Sequence, residues 1–123
     1  TFRSFVEHVL STTRVSSAVI VLALKYLDRI KDSRNLLPAD SPLRRPDSEQ
    51  LVLLVSLMLA NKFADDERFT NSAWASVADV DLAIVNRAEM DALEAIRWKL
   101  TVDERDYTKW VETVTSHAHL AVQ

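Results

Sequence analysis

The side chains best placed for chemistry gather at one point of the chain. The run LMLANKFADD, residues 57–66, begins in an apolar stretch and then presents Lys62, with Asp65, Asp66 and Glu67 close behind. A charge rooted in an apolar segment needs a counter-charge or water, so Lys62 marks either an ion pair or an emergence at the surface. Asp65 and Asp66 begin the loop beside it, and the acids nearest in sequence are not the expected partner. The loop sequence Ser41-Pro42-Leu43-Arg44 fits the S-P-x-R pattern of a proline-directed kinase site, set against the reading of a plain surface loop. Of the three histidines, His117 and His119 form an HAH tail that offers weak metal ligation. With no cysteine and no second pair of ligands in view, a solvated tail is the expectation, and neither metal nor cofactor is implied. Nowhere do a nucleophile, a base and an orienting group stand together as an enzyme requires.

Composition narrows the classes further. The chain has 123 residues, which fits one domain, and hydrophobic and charged residues make up 48% and 27%, an ordinary globular balance. It contains no glycine and no cysteine. Phosphate-binding loops, dinucleotide fingerprints and nucleophile elbows all need glycine for backbone reasons. Disulfides, zinc–thiolate sites and thiol nucleophiles are likewise excluded. A net charge of −3 argues against a nucleic-acid partner held through phosphates. The apolar run at residues 51–60 falls short of the roughly 20 residues a membrane span needs. An intracellular protein, without nucleic-acid or membrane partners, is the resulting expectation. Because the chain starts at Thr1, a trimmed fragment is expected.

The elements that must position these residues read as helices. Residues 2–11 carry Phe2, Phe5, Val6, Val9 and Leu10 on one face. A second helix starts at Ser16 or Ser17 and runs to residue 31. Its AVIVLAL run is β-branched enough for a strand, but its continuation through KYLDRIK favours helix. All three prolines fall in a loop, residues 32–47. A third helix, capped by Asp47 with Gln50 in capping-box position, runs to residue 63; it is apolar nearly all round and so belongs at the centre of a bundle. A short helix is expected at residues 73–77. A longer one follows Asp81, at residues 82–100, and a last follows Asp103, at residues 104–118. Trp74 and Trp110 read as core or groove aromatics.

These segments resemble the cyclin box. LALKYLDRI resembles its second helix, EQLVLLVSLMLANKF its third, NRAEMDALEAIRWKL its fifth and FRSFVEHVL its first. The order and gaps agree over residues 2–102, and the STTRVSSAVIVLAL opening, FTNSAWASV and the N-x-x-E of Asn86 and Glu89 resemble fungal PCL-type cyclins. The resemblance implies an all-α fold: a single cyclin-box five-helix bundle around an apolar third helix (residues 1–102), plus a C-terminal helix and tail (residues 103–123) in the same domain. It implies a regulatory subunit, not an enzyme, that binds and activates a cyclin-dependent Ser/Thr kinase in cell-cycle, polarity and nutrient or phosphate signalling.

The site follows from the same resemblance. Lys62 and Glu89 are implied to meet on the kinase-docking face, with Phe63, Leu93, Ile96 and Trp98 as apolar contacts around them. Read without the family, the two residues would be a plain intramolecular ion pair. Arg3 and Asp28 are implied to bridge the first two helices. Ser41 becomes a site the partner kinase itself could phosphorylate. The first-helix face, Phe2, Phe5, Val6 and Val9, matches a substrate-docking patch of cell-cycle cyclins, but Val9 and Thr12 replace its tryptophan and acid, so core packing is expected. The competing reading is a cyclin-fold interaction module of a transcription factor or other non-kinase assembly.

Overall fold

The computed structural model describes residues 1–122, with side chains described to residue 118. Within them lie six α-helices and no strand: α1 (Phe2–Thr13), α2 (Ser17–Asp32), α3 (Glu49–Ala64), α4 (Asn71–Ala78), α5 (Leu82–Ala95) and α6 (Glu104–Val122). The all-helical bundle anticipated from the sequence is the one observed.

Local chemistry starts most of these helices. The side chains of Thr1, Ser16, Thr70 and Asp81 each accept a backbone N–H in the first turn of α1, α2, α4 and α5. Asp103 does the same for α6, accepting from the Asp106 N–H at 2.8 Å. Such caps satisfy donors that a helix start leaves unpaired. At α3 the expected Asp47 cap gives way to Ser48, whose hydroxyl is turned to the Leu43 carbonyl, 2.9 Å away, and does not cap. The preceding loop is so firmly folded down that Ser48 serves the loop instead.

The centre is α3. Every residue from 52 to 61 is buried, including Ser56 and Asn61. A helix apolar all round has no face to give to water and must be surrounded. The α2 helix packs along it most extensively, α5 and α4 lie on other sides, and α1 crosses α3 and α4. Phe5, Val6 and Leu10 pack against the core and Val9 is fully buried, while Phe2 remains half exposed. Trp74 is fully buried, with Phe69 edge-on at 5.7 Å. The α6 helix lies against α2: the Trp110 indole N–H donates to the Val21 carbonyl at 3.0 Å, and the Lys25 ammonium sits 5.0 Å from the ring centroid.

Two further expectations need correction. The fifth helix ends at Ala95, not at residue 100. Ile96 closes it, and Arg97 and Trp98 then both take left-handed conformations, with φ of 57° and 58°. The Trp98 N–H turns back to the Leu93 carbonyl at 2.8 Å, a Schellman-type closure. Leu100 still packs against the core after the turn, so apolar periodicity ran on past the helix it belonged to. Tyr26 and Arg29 of α2 fasten that segment by donating to the Leu100 and Lys99 carbonyls at 2.6 and 2.8 Å. The second correction concerns Arg3. It pairs with Glu7, one turn along α1, at 3.0 Å and not with Asp28. Its side chain is 90% exposed, on the surface of its own helix.

Candidate functional site

Lys62 occupies the last turn of α3, where the central helix emerges, and Glu89 lies on α5. The Lys62 ammonium donates to Glu89 Oε2 at 2.7 Å. The pair is partly withdrawn from water, the Lys62 side chain 35% and the Glu89 side chain 15% exposed. At that depth attraction is stronger than between freely solvated ions, and removing one member strands the other. Asp65, Asp66 and Glu67 do not engage Lys62. Asp65 ends α3 and accepts from the Glu67 N–H at 3.2 Å.

Two asparagines complete the arrangement. Asn71, the first residue of α4, accepts from the Lys62 ammonium through Oδ1. Its Nδ2 donates to Glu89 Oε1 at 3.0 Å and to Asn86 Oδ1 at 2.8 Å. Asn61, fully buried next to Lys62, fixes the loop leading to Asn71: it donates to the Glu67 carbonyl at 3.0 Å and accepts from the Phe69 N–H at 3.1 Å. Three elements thus converge on one charged pair. The N-x-x-E spacing pointed to Asn86 and Glu89; nothing local pointed to Asn61 or Asn71, whose partners lie on other elements.

The apolar surround differs from expectation. Phe63 and Trp98 are exposed, at 49% and 56%. Leu93 and Ile96 are core residues at 7% and 6%, so they offer almost no surface to a partner. They fall on the inward stripe of α5 with Val85, Ala88 and Ala92. Met90, 47% exposed and adjacent to Glu89, was missed. A methionine among polar neighbours, four and three positions from Asn86 and Arg87 on α5, was the available signal.

Ser41 is not presented for modification in this structure. It is 2% exposed, and its hydroxyl accepts from the Leu43 N–H at 3.2 Å at the start of a 3-10 turn, Pro42–Arg44. The proline that suggested a kinase motif stands at the first position of that turn, where its fixed φ fits. Arg87 of α5 anchors the same loop through Asp40 at 2.7 Å. The Arg87 hydrogen bond and charge hold the Asp40 carboxyl below its ordinary range, and Asp40 in turn raises Arg87.

Among the described residues no three His, Asp or Glu side chains cluster as metal ligands, and no helix is long and apolar enough to cross a membrane. His117 contacts the Thr113 carbonyl of its own helix at 2.8 Å; the His119 side chain lies outside the described residues.

Comparison with known proteins gives a consistent picture. The family model "Cyclin, N-terminal domain" matches residues 2–101. Cyclin-U4-2 of Arabidopsis thaliana is 27% identical over 112 residues, covering 91% of this chain and 50% of that protein. The PHO85 cyclin CLG1 of Saccharomyces cerevisiae is 28% identical over 99 residues, 77% of this chain and 21% of that protein. Cyclin-P3-1 of Oryza sativa subsp. japonica is 28% identical over 99 residues, 80% of this chain and 39% of that protein. The chain therefore spans half or less of the length of these curated relatives. No solved structure gives a significant match.

Proposed function

The chain belongs to the cyclin family, and from that premise we propose that it is a regulatory subunit that binds and activates a cyclin-dependent Ser/Thr kinase through the Lys62–Glu89 face. The observation that carries the reading is the ion pair itself: 2.7 Å long, partly buried, and set where the central helix reaches the surface. Phe63, Met90 and Trp98 add exposed apolar area on α3, on α5 and on the turn that closes α5. A charged pair within aromatic and aliphatic surface is the composition of an interface hot spot.

The mechanism is one of selection. A kinase needs its N-lobe lysine–glutamate pair and its metal-binding aspartate in place before phosphoryl transfer. A partner that docks only on the assembled arrangement shifts the population toward it by its differential affinity. Lys62 has N–H capacity for backbone carbonyls of the kinase, and Glu89 orients it while accepting from kinase amides. One relative is by its name a PHO85 cyclin, which makes PHO85 the first kinase to try. The resemblance of its sequence to PCL-type cyclins extends the proposal to nutrient or phosphate signalling inside the cell.

A charge-swap series tests this. Lys62→Glu and Glu89→Lys are each expected to lower affinity for purified PHO85, or for another member of a cyclin-dependent kinase panel that binds the wild type, by about 2–5 kcal/mol. The double swap restores the internal attraction and should recover thermal stability, but not kinase binding or activation. Undiminished binding by both folded single variants, or recovery by the double swap, rejects docking in favour of a purely internal ion pair.

A further inference from the structure

We infer that Asn71 is a third member of the docking face, a positioning residue that sets where Lys62 and Glu89 point. The inference rests on the docking reading above. A lysine ammonium has three N–H bonds. Glu89 Oε2 and Asn71 Oδ1 take two of them, which leaves one free and fixes its direction. Glu89 is fixed too, since Oε2 accepts from Lys62 and Oε1 from Asn71.

The chemistry allows only one orientation of the Asn71 amide. Glu89 is a carboxylate and can only accept, so the Asn71 NH2 must face it; the ammonium can only donate, so the Asn71 oxygen must face Lys62. Asn86 Oδ1 takes the second Nδ2 hydrogen at 2.8 Å. Each polar atom of the Asn71 side chain is satisfied by a group on another element. The backbone delivers Asn71 to this spot by two devices. Thr70 Oγ1 accepts from the Ala73 N–H at 3.1 Å and starts α4 at Asn71, and buried Asn61 ties down the loop just before it. Neighbours on α3 divide the work: Asn61 holds the loop that brings Asn71, and Lys62 receives it. Without Asn71, the flexible Lys62 stem would keep a single contact with Glu89, and docking would have to order it.

The test measures affinity for the kinase that binds the wild-type chain, and the state of Lys62 in the free chain. Asn71→Ala should weaken binding about tenfold, the size of a hydrogen bond to a charged group. Asn71→Asp keeps an acceptor for Lys62 but sets a second carboxylate beside Glu89, and should weaken binding at least as much. Asn71→Ala should add little further loss on top of Lys62→Ala, because the two act through one donor. In the free chain, the Lys62 ammonium signal in nitrogen-15 NMR should be slow to exchange in the wild type and lost in Asn71→Ala. Circular dichroism checks folding, and Asn71→Ser replaces any variant that fails. Wild-type affinity for a folded Asn71 variant, with Lys62→Ala weakened, overturns the inference alone, as does an unchanged ammonium signal. Wild-type affinity for Lys62→Ala overturns the docking reading itself.

Discussion

At the scale of single residues, buried polar atoms with one partner far away in sequence carry much of the specificity of this fold. Tyr26 is the clearest. It is fully buried, and its hydroxyl donates to the Leu100 carbonyl at 2.6 Å, holding down the segment after the α5 turn. Burial pushes its pKa up to about 12, partly offset by the nearby Arg29 charge. A folded-state pKa above the unfolded one means the fold favours the protonated phenol. That stabilisation is complete below about pH 10 and is lost as pH rises from there through about 12. Tyr26→Phe should therefore cost about 1–2 kcal/mol at neutral pH. Urea titrations should also show that the variant lacks this phenol's share of the alkaline loss. Identical stability at neutral pH, with the same alkaline loss as wild type, would remove Tyr26 as its source.

At the scale of elements, the ends of α1, α4 and α5 are where a glycine-free sequence meets a backbone requirement: Arg14 and Asp79 each cap a helix in the left-handed region, and α5 puts two residues there. Arg97 and Trp98 both sit at positive φ, a region that costs residues with a Cβ about 1–2 kcal/mol each. Trp98 gains an exposed position on the proposed docking face, 56% accessible. The Arg97 side chain is exposed and makes no hydrogen bond or ion pair among the described residues. Arg97→Gly is thus expected to stabilise the chain by about 0.5–1 kcal/mol, net of the greater freedom of glycine when unfolded. A thermal midpoint unchanged or lowered in Arg97→Gly would show that this turn is not strained. The apolar sequence could not announce the turn, because Leu93, Ile96 and Leu100 keep helical spacing across it and all three face the core. The same inward stripe explains why Leu93 and Ile96 serve packing and not docking.

At the scale of the whole molecule, α6 stands apart. Four helices, α1, α2, α4 and α5, close around α3, whereas α6 meets the bundle chiefly at α2, through Trp110 and Lys25. A cleft of about 580 Å³ remains between them, lined by Leu24, Leu27, Trp110 and Val114. A chain ending at Val102 should therefore fold alone, with a cooperative thermal transition roughly 5–10 °C below that of the full chain. It should keep its kinase affinity, since Lys62, Asn71 and Glu89 are all retained. A non-cooperative or unfolded truncation would instead make α6 part of the obligatory core. The family resemblance implied a box ending at residue 102 with α6 in the same domain, and this truncation is the measurement that tests that boundary.

What the sequence determined by itself was whatever short-range physics dictates. A helix apolar on every side must be buried, so α3 had to be central. The absence of glycine and cysteine removed whole classes of chemistry. A lysine at the end of that helix had to meet a counter-charge or water. The order of the segments added Glu89 as its partner by resemblance, and the 2.7 Å pair is the structural counterpart. Tertiary structure decided what depends on separate elements arriving together. Asn71 reaches Lys62 across 9 residues and Glu89 across 18, with its loop fixed by a buried Asn61. Arg3 turned to its own helix, and Ser41 was drawn inward as a cap. Periodicity and propensity describe a residue against its neighbours along the chain. A side-chain amide chooses its partners only after packing has excluded water and set the distances.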